Sequence, residues 1–240
     1  MISVCIATFN GEKYIKLQLE SILSQLESDD EIVIIDDAST DNTIEIINSF
    51  HDLRIKTYKN NVNIGFVKSF EKAFLISKGE IIFFSDQDDY WLDNRVNIMS
   101  KKLIDSSSLL LVSQFIPSII QGIMVEEPKV LPLKTLASKF SLGSIFFGNS
   151  LFFGSTMCID RKLLNIALPF KFSVKSHDIH MAIIAILLKK CIIINDILTI
   201  RTITGNNLSN RNRSYIKKIK SRFFYLCTFL DFYIKKLFNA

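Results

Sequence analysis

The chain has 240 residues, 48% hydrophobic and 22% charged, enough for one large domain, or a domain with a small appendage, to bury a sizeable core. Its net charge of +5 is uneven: residues 211–240 hold eight Lys and Arg against Asp231, a local +7 that leaves −2 on the other 210 residues. Attraction to an anionic partner therefore belongs to the tail, and no nucleic-acid partner is expected of the body. No run of about 18 uncharged apolar residues occurs and Met1–Ile6 carries no basic leader, so neither an ordinary transmembrane helix nor a secretory signal is expected. Cys5, Cys158, Cys191 and Cys227 form no CxxC pair and read as buried thiols in a reducing compartment rather than disulfides or a zinc site.

In chain order, the β-prone run 2–7 is followed by the turn Thr8-Phe9-Asn10-Gly11. Ile15, Leu19, Ile22, Leu23 and Leu26 then recur at helical spacing over 12–26. Residues 31–35 are an almost wholly apolar strand, as a parallel sheet covered on both faces requires, and the strand ends in Asp36-Asp37-Ala38-Ser39-Thr40-Asp41. Ser39 or Thr40 can cap a helix over 42–50. A short strand at 54–58, a loop from Asn60 to Gly65, a helix over 66–78 stopped by Gly79, and a strand at 80–85 follow. This β-α-β-α-β alternation predicts an open, mostly parallel α/β sheet flanked by helices. Ligands bind such sheets at the carboxyl edge of the strands, so Thr8/Asn10, Asp36/Asp37 and Asp86/Asp88 should converge there.

After residue 90 the pattern loosens. A helix around 93–105 precedes the apolar run Leu109–Val112, and 113–150 is irregular. A strand-like run covers 151–159, an apolar helix covers about 178–190 behind His177, and short strands are expected at 192–194 and 198–200.

The richest motif is Ser85-Asp86-Gln87-Asp88-Asp89 at the end of the apolar run 81–84. Crowded carboxylates repel and need a counter-charge. Their oxygens are hard ligands for Mg2+ or Mn2+, which are often held by one or two carboxylates plus substrate phosphates. A solvated acidic turn is the plainer alternative.

Together these residues resemble the family 2 glycosyltransferases of the GT-A fold, over about residues 2–210. Four segments carry the likeness: Val4–Gly11; Ile34–Thr43; Asn63-Ile64-Gly65 with Lys78–Asp89, which includes a DxD element; and His177-Asp178 before an apolar helix. The resemblance implies a 1–210 domain, with a nucleotide-sugar-binding half at 1–110 and an acceptor half at 111–210, followed by a basic amphipathic helical tail at 211–240. It also implies transfer of a sugar from a nucleotide diphosphate donor, UDP- or dTDP-type, to a hydroxyl of a glycan or lipid-linked acceptor, with inversion, as in bacterial surface-polysaccharide and rhamnosyltransferase-like enzymes. Asp88 would hold Mg2+ or Mn2+ with Asp86, which alternatively contacts the ribose. Asp36 and Asp37 would accept from the base and ribose, since ionised carboxylates only accept. Thr8 and Asn10 would line the pocket. Lys68 would face the diphosphate, or else be a solvated helix lysine. Asp178 would be the general base, against the alternative of a structural helix cap. His177 reads as an orienting or packing residue, Phe146–Phe153 as core, Asn149, Gly154, Ser155 and Met157 as lying on the acceptor side, and Trp91 either as a sugar platform or as a loop anchor.

There are departures. Arg201–Asn207 is a degraded version of the family's late Tyr-Arg-x-His-x-x-Asn element, with Thr204 in place of histidine and the arginine register shifted. The Gln-x-x-Arg-Trp element of processive synthases is missing, which favours single transfer. Rival readings are a non-catalytic membrane-associated partner that keeps the fold, and a nucleotidyltransferase; neither GxGxxG nor GxxxxGK[ST] occurs. The 214–238 tail mixes basic and aromatic residues without Pro or Gly, which suits an anionic membrane surface or, alternatively, packing on the body. A cytoplasmic chain, peripheral on the inner face of the membrane, is the expected location.

Overall fold

The computed structural model describes residues 1–118, 141–147, 152–171, 174–202 and 215–238. Asn149, the 203–207 part of the late element and Ser209 lie outside these residues.

The strands are β1 (Ile2–Thr8), β2 (Glu31–Asp36), β3 (Ile55–Lys59), β4 (Ile81–Ser85), β5 (Tyr90–Trp91), β6 (Leu110–Ser118), β7 (Met157–Asp160) and β8 (Cys191–Thr202). The helices are α1 (Ile15–Leu23), α2 (Thr43–Asn48), α3 (Phe66–Ile76), α4 (Arg95–Asp105), α5 (Leu142–Phe147), α6 (Arg161–Ala167), α7 (His177–Leu187) and α8 (Tyr215–Phe238). All eight strands join one sheet in the order β3-β2-β1-β4-β7-β6-β8-β5. The β1–β2, β1–β4, β2–β3 and β6–β8 pairings are parallel, and β7 runs antiparallel to both β4 and β6.

Burial alternates along the strands and divides the core by sheet face. Val4, Ile6, Ile32, Ile34 and Phe83 pack with Leu19, Ile22 and Met99 of α1 and α4. Cys5, Val33, Ile35, Ile82 and Phe84 pack with Phe70 and Phe74 of α3 and with Met181 and Ile183 of α7. With both faces covered, β2 is buried along its whole length, which is why it reads as a continuous apolar run.

Three expectations change. The run 151–159 is not one strand: a 3-10 turn at Gly154–Thr156 precedes β7. The two strands expected at 192–194 and 198–200 are one, β8, whose register on β6 shifts between Val112 and Gln114, opposite the polar Asn195-Asp196 interruption. A bulge of this kind breaks the apolar pattern without ending the strand. β6 likewise continues to Ser118, beyond the expected 109–112 run.

At the amino edge of the sheet, the Glu31 carboxylate accepts from Ser3 Oγ (2.7 Å), the Lys78 amide (2.6 Å) and Lys56 Nζ (2.5 Å). Burial alone would raise its pKa; these three bonds together hold it below the usual carboxylate value. The chain turns beside this knot at Gly79, where a Cβ would lie 2.4 Å from the Ser3 amide nitrogen and 2.6 Å from the Ile2 carbonyl carbon. Backbone, not a movable side chain, sets that limit. Gly79→Ala should therefore lower the unfolding free energy by about 1–3 kcal/mol, read from the urea midpoint at unchanged slope; an unaltered midpoint would mean that β1 and β4 can part at no cost.

Candidate functional site

β1, β2 and β4 are neighbours, with Thr8 opposite Asp36 and Ile6 opposite Ser85, so their carboxyl ends open on one edge. The turns beyond them are laced together. Gln87 Oε1 accepts from Thr8 Oγ1 (2.7 Å) and the Phe9 amide (2.8 Å), and its Nε2 donates to the Phe9 carbonyl (3.2 Å). The Asp37 amide donates to the Thr8 carbonyl (2.8 Å), the Asn10 amide to Ser39 Oγ (2.9 Å), and the Thr40 amide to Asn10 Oδ1 (2.9 Å). Asn10 takes φ +50°, which asparagine tolerates better than most residues. Convergence of the three polar turns is thus a matter of direct hydrogen bonds, and Gln87, which sequence reasoning passed over between two aspartates, is the connector.

The individual residues divide into anchors and open groups. Thr8 is buried and its hydroxyl is committed to Gln87. Asp37 is buried and accepts from Asn60 Nδ2 (2.9 Å), the Ile64 amide (2.9 Å) and the Gly65 amide (2.8 Å). It shapes the 60–65 loop and keeps little capacity for a nucleoside. Asp36 is fully buried; Oδ2 accepts from the Ser39 amide (3.0 Å), while Oδ1 has no hydrogen-bond partner among the described residues. Lys68 is half exposed and its ammonium is committed to Glu71 at 2.6 Å rather than left for a diphosphate. Trp91 is an anchor, not a platform: it is buried against Phe83 at 5.4 Å, under the Arg95 guanidinium at 4.5 Å, and its amide donates to Ser21 Oγ (3.1 Å).

The acidic turn is the open part. Burial and mutual repulsion push the pKa of Asp86 up to about 6 and that of Asp88 up to about 7; Asp89 is raised by burial as well. Arg201 opposes all three shifts. It arrives by a route the sequence did not reveal. β5 pairs with β8, with Tyr90 opposite Ile200, and the Thr202 amide donates to Asp89 Oδ1 (3.1 Å), so the end of β8 lies along the acidic turn. The Arg201 guanidinium lies 3.9 Å from the centre of the Phe153 ring and 5.2 Å from that of Phe115. Arg95, fully buried with its pKa pushed down to about 10, donates to the Ser155 carbonyl (2.7 Å) and bonds Thr199, adding a second cation near Asp89.

Helix α7 brings the last element. His177 is buried in a box of phenylalanines, stacked on Phe70 at 4.0 Å and 5.6 Å from Phe84. Neither ring nitrogen has a hydrogen-bond partner among the described residues, and burial lowers its pKa, so the ring is a neutral packing group. Gly154 permits this packing: a Cβ there would lie 3.1 Å from His177 Nε2 and 3.8 Å from both Asp178 Cβ and Phe84 Cβ. The start of α7 thereby meets the end of β4, and Asp178 is among the charges that raise Asp86. Asp178 Oδ1 accepts from the Ser176 hydroxyl and from the Ile179 amide (2.8 Å), and both bonds fall on that one oxygen.

Among the described residues no three His, Cys, Asp or Glu side chains come together as a metal site. Two under-compensated carboxylates, Asp86 and Asp88, still fit a hard divalent cation whose remaining positions are filled by phosphate and water.

Known proteins resemble this chain in family and fold. A family model described as glycosyl transferase family 2 matches residues 3–157. A UDP-Glc:alpha-D-GlcNAc-diphosphoundecaprenol beta-1,3-glucosyltransferase, WfaP of Escherichia coli, is 41% identical over 97 residues, covering 40% of this chain and 39% of its own length. The structure of Staphylococcus aureus TarS 1-349 in complex with UDP-GlcNAc superposes with a TM-score of 0.69 at 21% identity, over 89% of this chain and 61% of that one. The mannosyltransferase PcManGT of Pyrobaculum calidifontis, in complex with GDP-Man and Mn2+, gives 0.66 at 17% identity, over 86% and 58%. These solved structures share the GT-A fold with this chain, which spans less than two thirds of the length of each of the three proteins.

The crowded turn has a consequence for stability. A folded-state pKa above the unfolded value means that the native chain binds more protons through the window from about pH 4 to 7, so stability falls as pH rises through it. In chelator, Asp88→Asn should raise the melting temperature at pH 8, by about 2–4 °C for each kcal/mol of repulsion relieved, and should flatten its decline between pH 5 and 8. A variant that melts lower at pH 8 would show that Asp88 is not strained.

Proposed function

The chain belongs to glycosyl transferase family 2, and on that premise we propose that it moves a sugar from a nucleotide diphosphate donor, UDP- or dTDP-type, to a hydroxyl of a glycan or lipid-linked acceptor, with inversion. The observation that carries this reading is that the start of α7 is packed on the end of β4 through Gly154, His177 and Phe84, near enough for the Asp178 charge to act on Asp86. On this reading a metal-binding carboxylate and a proton acceptor would serve the same substrate, as a displacement with attack opposite the leaving group requires. The name of WfaP states a UDP-Glc donor and a diphosphoundecaprenol acceptor; a related pair is proposed here by likeness. The 1–110 half would then hold the donor, and the 111–210 half the acceptor.

Asp88 and Asp86 would hold Mg2+ or Mn2+, which when bound supplies a Lewis acid against the charge developing on the leaving diphosphate. Asp86 could instead meet the ribose. Among the described residues Arg201 is the cation best situated to share that work, because its guanidinium is oriented by Phe153 and Phe115 and acts on all three aspartates. Lys68 would act only by exchanging Glu71 for phosphate. Asp37, Asp36 and Thr8 keep the pocket wall in place, and Asn10, exposed on the rim, is available to a nucleoside. Asp178 takes the proton of the acceptor hydroxyl through Oδ2 as the new bond forms, while Ser176 and the Ile179 amide hold Oδ1.

Two variants separate these roles. Asp178→Ala should leave metal-dependent donor binding intact, read as an unchanged thermal shift with UDP-sugar and Mn2+, and should lower transfer by about 10²–10⁴-fold. Asp88→Ala should abolish that thermal shift. Normal turnover in Asp178→Ala would remove its assignment as base.

A further inference from the structure

We infer that one face of helix α8 is a docking surface for an anionic phospholipid bilayer. The opposite face is fixed to the body. Thr228 Oγ1 lies 3.2 Å from His180 Nδ1 of α7, Tyr225 and Phe232 pack against the core, and Asp231 pairs with Lys171. On the outer face Phe223, Leu226, Leu230 and Tyr233 are 62%, 43%, 50% and 43% exposed. Their spacing of three, four and three residues draws one continuous apolar stripe along the helix. Four large apolar groups in a row form a patch, unlike the scattered single exposures a soluble surface tolerates.

Charge selects the occupant. Helix α8 carries Lys217, Lys218, Lys220, Arg222, Lys235 and Lys236 in its sequence, and its single acid, Asp231, is turned to the body. A second copy would bring together two helices of net charge +5 each by sequence, a repulsion that no acid of either helix relieves, since Asp231 is paired with Lys171; Arg222 Nε is itself held by the Phe146 carbonyl at 2.7 Å. An anionic lipid surface offers acyl chains for the apolar stripe and phosphates for the positive charge of a helix whose Lys220 is exposed. No helix among the described residues is long and apolar enough to cross a membrane, so α8 would lie flat. Because α8 packs on α7, whose first turn bears Asp178, seating the stripe on lipid would bring the cleft beside the membrane plane. The inference rests on the function proposed above only in giving that geometry a purpose, delivery of a lipid-linked acceptor.

Flotation of the full chain with phosphatidylcholine vesicles, with and without phosphatidylglycerol, tests it. The chain should float only with the anionic vesicles, and less at high salt. Leu226→Asp/Leu230→Asp should lower partitioning by more than about tenfold, while Leu226→Trp in the otherwise native chain should be quenched by brominated lipid and buried Trp91 should not. Failure of the native chain to float with anionic vesicles would overturn the inference, as would a concentration-dependent dimer that the double variant abolishes. Metal-dependent donor hydrolysis, measured on the same samples without vesicles, reads the proposed function separately: an active chain that stays off vesicles sinks only the docking surface, and an inactive chain that floats sinks only the activity.

Discussion

Asp86, Asp88 and Asp89 share one buried turn in which their charges are only partly offset by Arg201 and Arg95. Much of the carboxyl edge answers to that constraint. Strand β5 consists of two residues, yet its pairing with β8 brings the end of β8, and with it Arg201, along the turn. Phe153 and Phe115 give the guanidinium a face to lie on, and Arg95 is taken fully out of water to sit over Trp91 and near Asp89. Burying a cation is costly without an anion close by, so the turn and its arginines stabilise each other while leaving the outer carboxylates short of charge.

The two ends of the sheet show what this shortage means. Glu31, at the amino edge, is more buried than Asp86 or Asp88, but hydroxyl, amide and ammonium donors complete it and its pKa falls. Asp86 and Asp88, at the carboxyl edge, lack such donors and their pKa values rise to about 6 and 7. The same chemical group is a completed structural fastening at one end and under-compensated at the other. Perturbation toward the neutral form, in a cleft and beside like charges, marks the functional end. The other acids at that edge are also fastenings, Asp37 for the 60–65 loop and Asp36 for the turn after β2.

Helix α7 links this edge to the remainder of the molecule. Its first residue is wedged among four phenylalanines from α3 and β4, its second presents a carboxylate to the cleft, and its body carries α8. Gly154 eases the wedge, since a Cβ there would crowd His177 Nε2 at 3.1 Å. A rigid, nearly all-buried helix between cleft and outer helix means that whatever orients α8 also orients Asp178.

The amino-acid sequence by itself determined the β-α-β-α-β half, the edge on which ligands meet, and the acidic residues found there, because hydrophobic period and turn chemistry are local properties. Ile32–Ile35 and Ile81–Phe84 announce buried strands, and the polar residues after them must fall at the carboxyl edge of a parallel sheet. Only the tertiary structure decided which acids are spent and which are open, that Trp91 anchors rather than stacks, that Lys68 is tied to Glu71, and that Gln87 and Arg201 complete the edge. Each of those outcomes depends on partners brought in from elsewhere in the chain or on which neighbour a side chain meets once folded, and a bulge hid the continuity of β8. Burial and long-range pairing set a carboxylate's energy, and neither is written in the residues beside it.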